Sequence, residues 1–248
     1  MIGSRMLGRL CLLAIAASGL SACAFWEMSD WSDQAGVLAL DRFERTETDG
    51  LGTSDVGGPW TFSGPDEGGS VGEGTARMTP QVGQTLRGVL REPSALDVDA
   101  AVSVAVPDVP DGIGVYVALH ARVVDESGGS AYRFQLVVKE TGEVAASLKS
   151  TDDDEPLAVR EVVFDPPYVA GTTLRMRVQV EGTDPTRLRG RVWPASEAEP
   201  EAWTVEGEDV TADLQAPGGL ALSAYTSSSS TRSAVVTFDE LVATPLEP

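Results

Sequence analysis

Carboxylate, histidine and serine side chains are the groups that could do catalytic chemistry in this chain of 248 residues. General acid–base hydrolysis of a glycoside needs two carboxylates that share a face. Asp239 and Glu240 are adjacent, so a strand would point them to opposite faces. His120 is the only histidine, and no G-x-S-x-G turn occurs. These patterns predict a protein that is not an enzyme, although a Ser-His-Asp triad stays open.

The N-terminus has the pattern of a secretory signal. Arg5 and Arg9 precede an apolar run, Leu10 to Leu20, that is too short to span a bilayer as a helix. The run ends in Leu20-Ser21-Ala22-Cys23, which resembles the bacterial lipobox. That resemblance implies a signal peptide over residues 1–22 and a lipidated Cys23 at the mature N-terminus. The alternative is an ordinary signal peptide with a chance cysteine.

A lipid on Cys23 would set the organisation of the rest of the chain. Two acyl chains suffice for stable anchoring in a cell membrane. Residues 23–36 then form a lipidated tether, and residues 37–248 form one domain that faces outside the cytoplasm. Phe25, Trp26 and Trp31 in the tether would lie at the membrane interface or pack on the edge of the domain. We also predict a monomer.

The charge balance is strongly acidic. The chain has 18 basic and 38 acidic residues, a formal net charge of −20. Removing residues 1–22 removes two arginines and no acid, which makes the charge −22. Such a surface repels polyanions. We therefore predict no nucleic-acid partner.

Hydrophobic residues alternate with polar ones over most of residues 37–248, which predicts an all-β domain. In one run the alternation places five residues on a single face: Val115, Val117, Leu119, Ala121 and Val123. Glycine- and acid-rich segments such as 125–130, 139–144 and 150–156 predict hairpin tips. The segment 209–215 is the best candidate for a short helix. More than ten short strands in this length favour a single antiparallel β-sandwich.

The segment DRFERTETDGLGTSDVGGPW, residues 41–60, resembles the N-terminal signature of concanavalin A-like, or laminin-G-like, jelly-roll modules of actinobacterial surface proteins. The matching residues are Asp41, Phe43, Arg45, Gly50, Gly52, Gly57, Gly58 and Trp60, whereas Leu51 and Ser54 depart from the pattern. The resemblance implies a two-sheet antiparallel jelly-roll sandwich whose first and last strands lie side by side. It also implies that Gly57 and Gly58 form a tight turn and that Trp60 fills one end of the core.

The resemblance implies a metal site as well. Related jelly rolls carry a structural calcium between their terminal strands, and Asp41 and Asp239 stand at the corresponding ends here. Hard cations of this kind prefer oxygen ligands. The alternative is that both aspartates are edge charges or turn caps. Glycosidases of this fold use a motif similar to E-x-D-x-x-E, which no strand-like run here contains.

Arginine is concentrated at the outward positions of predicted strands, namely at Arg122, Arg133, Arg175, Arg177, Arg187, Arg189 and Arg191. We predict a ligand site on one sheet face, built from Tyr116, His120, Arg133, Arg175 and Arg177. Arginine forks suit carboxylates, and aromatic rings stack on sugars, so the ligand would be an acidic or hydroxylated glycan. The alternative is a solvated face whose arginines pair with Asp and Glu across strands.

Three functions follow from these patterns. The first is a lipid-anchored, non-catalytic binding or adhesion module with a glycan as the leading ligand class. The second is a relative of glycoside hydrolases or lyases with a non-standard site. The third is a purely structural envelope lipoprotein.

Overall fold

The structure, a computed structural model, describes residues 36–63, 68–151 and 155–246. The predicted signal peptide, Cys23 and the tether up to residue 35 lie outside these ranges. The described chain forms fifteen strands: β1 (Ala39–Asp41), β2 (Trp60–Ser63), β3 (Gly69–Gly72), β4 (Thr75–Met78), β5 (Thr85–Ala95), β6 (Val98–Ala105), β7 (Val115–Val123), β8 (Tyr132–Val138), β9 (Val144–Ser150), β10 (Ala158–Val162), β11 (Leu174–Glu181), β12 (Thr186–Pro194), β13 (Val205–Asp209), β14 (Gly218–Thr226) and β15 (Val236–Pro245).

The strands make two sheets. The eight-stranded sheet has the order β13-β12-β11-β6-β15-β4-β3, with β1 also paired to β15. The seven-stranded sheet has the order β10-β9-β8-β7-β14-β5-β2. Neighbouring strands run antiparallel in both sheets. The predicted all-β class with two antiparallel sheets is confirmed.

Two of the three predicted hairpin tips are confirmed. The segments 125–130 and 139–144 connect the paired strands β7, β8 and β9. The predicted short helix is a single 3-10 turn, Ala212–Leu214. Within the described ranges, no helix has the length and apolar character needed to cross a membrane.

Alternating residues of the two sheets meet in one core. In the seven-stranded sheet the core side is lined by Val117, Leu119, Phe134, Leu136 and Leu222, all of which are buried. The intervening residues of the same strands therefore face away from the core. This face is called the outer face of the seven-stranded sheet below.

The terminal strands lie side by side, as the resemblance implied. β1 pairs with β15 through Ala39 and Ala243. Gly57 and Gly58 adopt φ angles of 112° and 85°, which only glycine reaches without strain, and they lead into Trp60 at the start of β2. The glycine turn implied by the resemblance thus leads directly into β2 and places Trp60 at one end of the core.

Strand β7 departs from simple alternation. Arg122 has a φ of 51°, and the pairing of β7 with β14 shifts beside it, between Gly219 and Leu220. This bulge changes the side on which later residues fall. Val123 therefore packs on the outer face with Val89 and not in the main core, so the prediction that it shares a face with Val115 is wrong.

Candidate functional site

The outer face of the seven-stranded sheet carries three rows of residues that run across the strands. The middle row is polar and small: Ser147, Gln135, Ala118 and Ser223 are in register on β9, β8, β7 and β14. These four are only 2–7% exposed, although they lie outside the core. Neighbouring parts of the outer face therefore cover most of their surface. We call this middle row the floor of a trough.

The first flanking row is aromatic at its centre. Tyr116 and Tyr225 are in register on β7 and β14, and their ring centroids are 5.4 Å apart in an edge-to-face arrangement. Burial, and then the neighbouring Tyr225, raise the pKa of Tyr116. The Tyr116 phenol therefore stays protonated at neutral pH. We call Tyr116 and Tyr225 the aromatic wall, and it lies beside the polar floor.

The second flanking row is basic. Lys149, Arg133 and His120 are in register on β9, β8 and β7. Arg133 Nη2 donates a hydrogen bond to the Thr151 carbonyl at 3.2 Å, which fixes the guanidinium near the end of β9. We call these three residues the basic wall. The aromatic and basic walls lie four residues apart along β7, which corresponds to about 13 Å in a strand.

His120 is buried at the join between this wall and the floor. Its Nε2 lies 2.8 Å from Ser223 Oγ, and its Nδ1 has no hydrogen-bond partner among the described residues. Burial, and then the charges of Arg87 and Arg133, hold the pKa of His120 well below its ordinary value. The imidazole is therefore neutral at physiological pH.

Arg87 is the residue that sequence reasoning missed. It lies on β5 in register with Ser223, so it closes one end of the floor. Its Nη1 donates to the Ser127 carbonyl at 3.0 Å, and Gly128 of the same loop approaches its side chain so closely that a Cβ would clash. The alternation of β5, in which Leu86 and Leu90 are core residues, was the available signal for an outward Arg87.

The structure brings together three of the five predicted ligand residues and separates the other two. Tyr116, His120 and Arg133 lie on the outer face of the seven-stranded sheet, whereas Arg175 and Arg177 lie on β11 of the eight-stranded sheet. The prediction of one shared face is therefore wrong. Alternation shows which residues leave the core, but it does not show which sheet a strand joins.

The arginines of β11 and β12 are paired with acids, as the alternative interpretation stated. Arg177 contacts Asp99 and also Glu199, with a 2.7 Å hydrogen bond to Glu199 Oε1. Arg175 donates to the Glu240 carbonyl at 2.8 Å. Further ion pairs connect Arg187 and Arg189 to Glu181 and Arg191 to Glu199. This face is a cross-strand ion-pair network.

Arg122 was predicted to point outward and is fully buried instead. Its guanidinium donates to Thr186 Oγ1 at 2.8 Å and to the Leu214 and Gly182 carbonyls at 3.2 and 2.7 Å. It also lies 5.6 Å from the centroid of the Tyr132 ring. The bulge in β7 turns this side chain toward the loops at the end of the other sheet, so Arg122 holds the two sheets together.

The contacts of Asp41 do not fit its predicted role as a calcium ligand. Its Oδ1 accepts from Phe43 N at 2.9 Å and from Arg45 Nη1 at 2.7 Å, and its Oδ2 accepts from Arg45 Nη2 at 2.9 Å and from Trp60 Nε1 at 2.7 Å. These four donors take up the lone pairs of a carboxylate. The arginine already supplies the positive charge that a calcium ion would bring.

Asp239 is half-buried on β15, and its Oδ1 accepts from Glu240 N at 2.7 Å. Burial is the main cause that raises the pKa of this carboxyl to about 6. No group of three or more Asp, Glu, His or Cys residues that could hold a metal ion occurs in the described ranges. Calcium binding stays a prediction, and it would rest on Asp239 without Asp41.

A second recess of about 530 Å³ lies at the edge of the sandwich, and we call it the edge groove. Its lining includes Phe164, Trp193 and Trp203. Arg191 lies over the Trp203 ring at 4.1 Å from the centroid, and Arg191 is held by Glu199. One face of this indole is therefore already covered by a guanidinium group.

Comparisons with known proteins show the fold and no family. No family model matches the chain, and no curated protein matches it. A laminarinase catalytic domain from Thermotoga petrophila is 9% identical, with a TM-score of 0.58 over 84% of this chain and 97% of that one. The carbohydrate recognition domain of Emp46p, in its metal-free form, is 10% identical, with a TM-score of 0.51 over 75% of this chain and 87% of that one.

A glycoside hydrolase family 43 protein from Bacillus licheniformis is also similar. It is 16% identical with a TM-score of 0.56, and the match covers 84% of this chain but only 39% of that protein. At these identities the likeness establishes the fold alone. The chain thus has the concanavalin A-like jelly-roll fold that residues 41–60 led us to expect.

Proposed function

We propose that this protein is a non-catalytic glycan-binding module and that the trough on the seven-stranded sheet is its binding site. The observation that carries the proposal is the arrangement of an aromatic wall, a buried polar floor and a basic wall on neighbouring strands. Aromatic faces and a few convergent polar groups are the usual components of a small-molecule site. The carbohydrate-related proteins of the same fold support this ligand class by analogy only.

The described strand positions of the trough carry few carboxylates, which supports binding over hydrolysis. Among the described strand positions of the three rows, the only carboxylate is Glu161, on the outermost strand β10. Lys139 Nζ pairs with it at 3.1 Å. Acid–base cleavage of a glycoside needs two carboxyl groups about 5–10 Å apart. We therefore favour a binding module over a hydrolase or lyase relative.

A glycan array tests this proposal. The wild-type protein should bind a defined set of glycans, and Tyr116→Ala should weaken binding about tenfold, because truncating a central aromatic contact typically costs more than about 1 kcal/mol. Trp203→Ala in the edge groove is the matched control and should bind like wild type. Loss of binding only in Trp203→Ala would move the site to the edge groove, and release of reducing sugar would show an enzyme.

We further propose that lipid on Cys23 anchors this module, as a monomer, to the outside of a cell membrane. The basis is the spacing Leu20-Ser21-Ala22-Cys23 after an apolar run. Mass spectrometry of the membrane fraction should show an acylated N-terminal peptide that begins at Cys23. An unmodified Cys23 in a mature protein released from the membrane would contradict the anchor.

A further inference from the structure

The edge groove lies where the two sheets stop touching along one side of the sandwich. Gly207 on β13 packs closely against the start of β10, because a Cβ added to it would lie 3.5 Å from Leu157 Cβ and 4.0 Å from Ala158 Cβ. Residues 160–165, further along the chain, instead line the recess of about 530 Å³. A volume of this size is typical of ligand sites, which commonly measure about 300–1,000 Å³.

The wall of the groove that contains Trp203 is held by the ion-pair network of the eight-stranded sheet. Glu199 Oε1 accepts a hydrogen bond from Arg177 Nη1 at 2.7 Å and also contacts Arg191. Arg191 Nη1 donates to the Pro200 carbonyl at 2.7 Å, and the same guanidinium lies over the Trp203 ring. The network thus fixes this wall in place. A preformed wall lowers the ordering cost of binding.

The opposite wall contains a strand edge without a partner strand. β10 is the outermost strand of the seven-stranded sheet, and within the described ranges it pairs with β9 alone. Its residues Arg160, Glu161 and Val162 line the groove. A free strand edge presents a row of backbone N–H and C=O groups, and an extended peptide carries the matching row. Because a sugar has no such row, this edge favours a peptide over a glycan as the occupant.

Apolar side chains lie beside this strand edge. Phe164 and Trp203 both line the groove. The neighbouring Val163 is 91% exposed, more than any other large hydrophobic residue in the described ranges. An apolar side chain of a partner that covers these surfaces removes them from water, which favours binding.

The groove is negatively charged. Its lining has three carboxylates, Glu161, Asp165 and Glu197, and one basic residue, Arg160. Lys139 pairs with Glu161, whereas Asp165 and Glu197 are exposed and form no ion pair within the described ranges. The whole chain has a formal net charge of −20. Complementary charge on a partner gives specificity and speeds association, so the matching peptide is basic.

We infer that the edge groove binds an extended segment of a basic protein. The backbone of the segment pairs with the free edge of β10, and one of its apolar side chains packs between Phe164 and Trp203. Its basic side chains pair with Asp165 and Glu197. This interaction is separate from glycan binding in the trough, so either one can fail without the other.

The probes are short synthetic peptides in which apolar residues alternate with arginine, and matched peptides in which glutamate replaces each arginine. Calorimetry measures their affinity for the purified protein. The arginine peptides should bind at least about tenfold tighter, because like charges across an interface are strongly disfavoured. Equal affinity of the two sets, or no binding of any arginine peptide, would overturn the inference.

N-methylation of the best arginine peptide tests the strand pairing. Alternate backbone N–H groups of a strand point to opposite sides, so methylation of every second nitrogen gives two versions of the peptide. The version that blocks the donors to β10 should lose binding, and the other version should keep it. Unchanged binding of both versions would show that the peptide does not pair with the strand.

Variants place the peptide in the groove. Trp203→Ala should weaken binding about tenfold, as expected for a central aromatic contact. Asp165→Asn combined with Glu197→Gln is an independent variant that leaves the core intact, because both residues are exposed. Asp108→Asn combined with Glu126→Gln removes the same charge from exposed positions outside the groove and is the matched control. Equal weakening by the two double variants would indicate general charge attraction and contradict the inference.

Two other occupants of the groove would be recognised in the same samples. A dimer of the wild type that Trp203→Ala dissociates would show that a second copy fills the groove. Glycan binding that Trp203→Ala alone abolishes would make the groove a sugar site. Either result would overturn the inference. Tyr116→Ala, by contrast, should bind the arginine peptides like wild type, which keeps this test apart from that of the trough.

Discussion

His120 Nε2 and Ser223 Oγ lie 2.8 Å apart and join β7 to β14 at the floor of the trough. The charges of Arg87 and Arg133 add to the effect of burial on the pKa of His120. A histidine with a lowered pKa in the folded state binds fewer protons there than in the unfolded state near pH 6. Protonation therefore stabilises the unfolded state relative to the folded state. The free energy of unfolding falls as pH falls below the unfolded pKa of about 6.5.

The pair gives a first prediction about stability and pH. Relative to His120→Gln, the wild type should gain free energy of unfolding between about pH 5 and pH 7, because the contributions of the other titrating groups are the same in both proteins and cancel. Urea denaturation at several pH values measures the difference between the two proteins. A constant difference across this range would contradict a neutral, buried His120.

Asp239 gives a second prediction, in which stability changes with pH in the opposite direction. Burial raises the pKa of this carboxyl to about 6 in the folded protein, above its ordinary value of 3.8. The folded state thus holds a proton more tightly, so this residue costs stability as pH rises from about 4 to 6. Asp239→Asn should melt several degrees higher than wild type at pH 7.5 and equally at pH 3.5. The same difference at both pH values would refute the shifted pKa.

Arg122 gives a third prediction, about packing. Arg122→Met removes a buried guanidinium and leaves the Leu214 and Gly182 carbonyls without that donor. The free energy of unfolding should fall by about 2–5 kcal/mol, as for other buried polar groups that lose a partner. Arg187→Met changes an exposed arginine, and its effect should stay within about 0.5 kcal/mol. Similar small effects in both variants would show that Arg122 does not hold the sheets together.

A fourth prediction concerns the hydrogen-bonded cluster of Asp41, Arg45 and Trp60. Asp41→Asn removes the charge that pairs with Arg45, while its side-chain oxygen can still accept from Trp60. We expect a loss of about 2 kcal/mol in stability, typical of hydrogen bonds between charged groups. Asp55→Asn, which affects an exposed pair with Arg42, should cost little. Thermal and urea unfolding of the two variants measure the contrast, and equal losses would contradict the assigned role of Asp41.

The same cluster predicts the response to calcium. Because Arg45 already neutralises Asp41, neither calcium nor a chelator should move the melting temperature through this residue. A calcium-dependent rise in the wild type that Asp41→Asn abolishes would show that the carboxylate binds the metal after all, since a ligand of the folded state raises stability by mass action.

The sequence indicated local structure well because alternation is a local property. Val117, Leu119 and Phe134 are core residues as their period of two implies, and Gly57 and Gly58 make the predicted turn. Sheet membership depends on which distant strands pair, and no local pattern contains that information. Arg177 and Arg133 therefore looked equivalent, although one lies in an ion-pair network and the other beside the trough.

The bulge at Arg122 shows a second limit. A single residue with a positive φ moved Arg122 into the interior and Val123 to the outer face. Arginine at positive φ has no sequence signature, because the conformation is stabilised by partners that are remote in sequence, such as Thr186 and Leu214. Likewise, the matched residues Asp41 and Trp60 could be recognised in sequence, but their mutual hydrogen bond became evident only in the structure.

His120 provides the most direct measurement of the central claim, because it is the only histidine and it lies in the trough. The imidazole resonances of the untagged protein are followed by NMR while the best-binding glycan of the array is added. Binding in the trough predicts that these resonances shift in proportion to the bound fraction, and that Tyr116→Ala weakens the response. Saturable glycan binding that leaves the His120 resonances unchanged would place the site elsewhere and contradict the account.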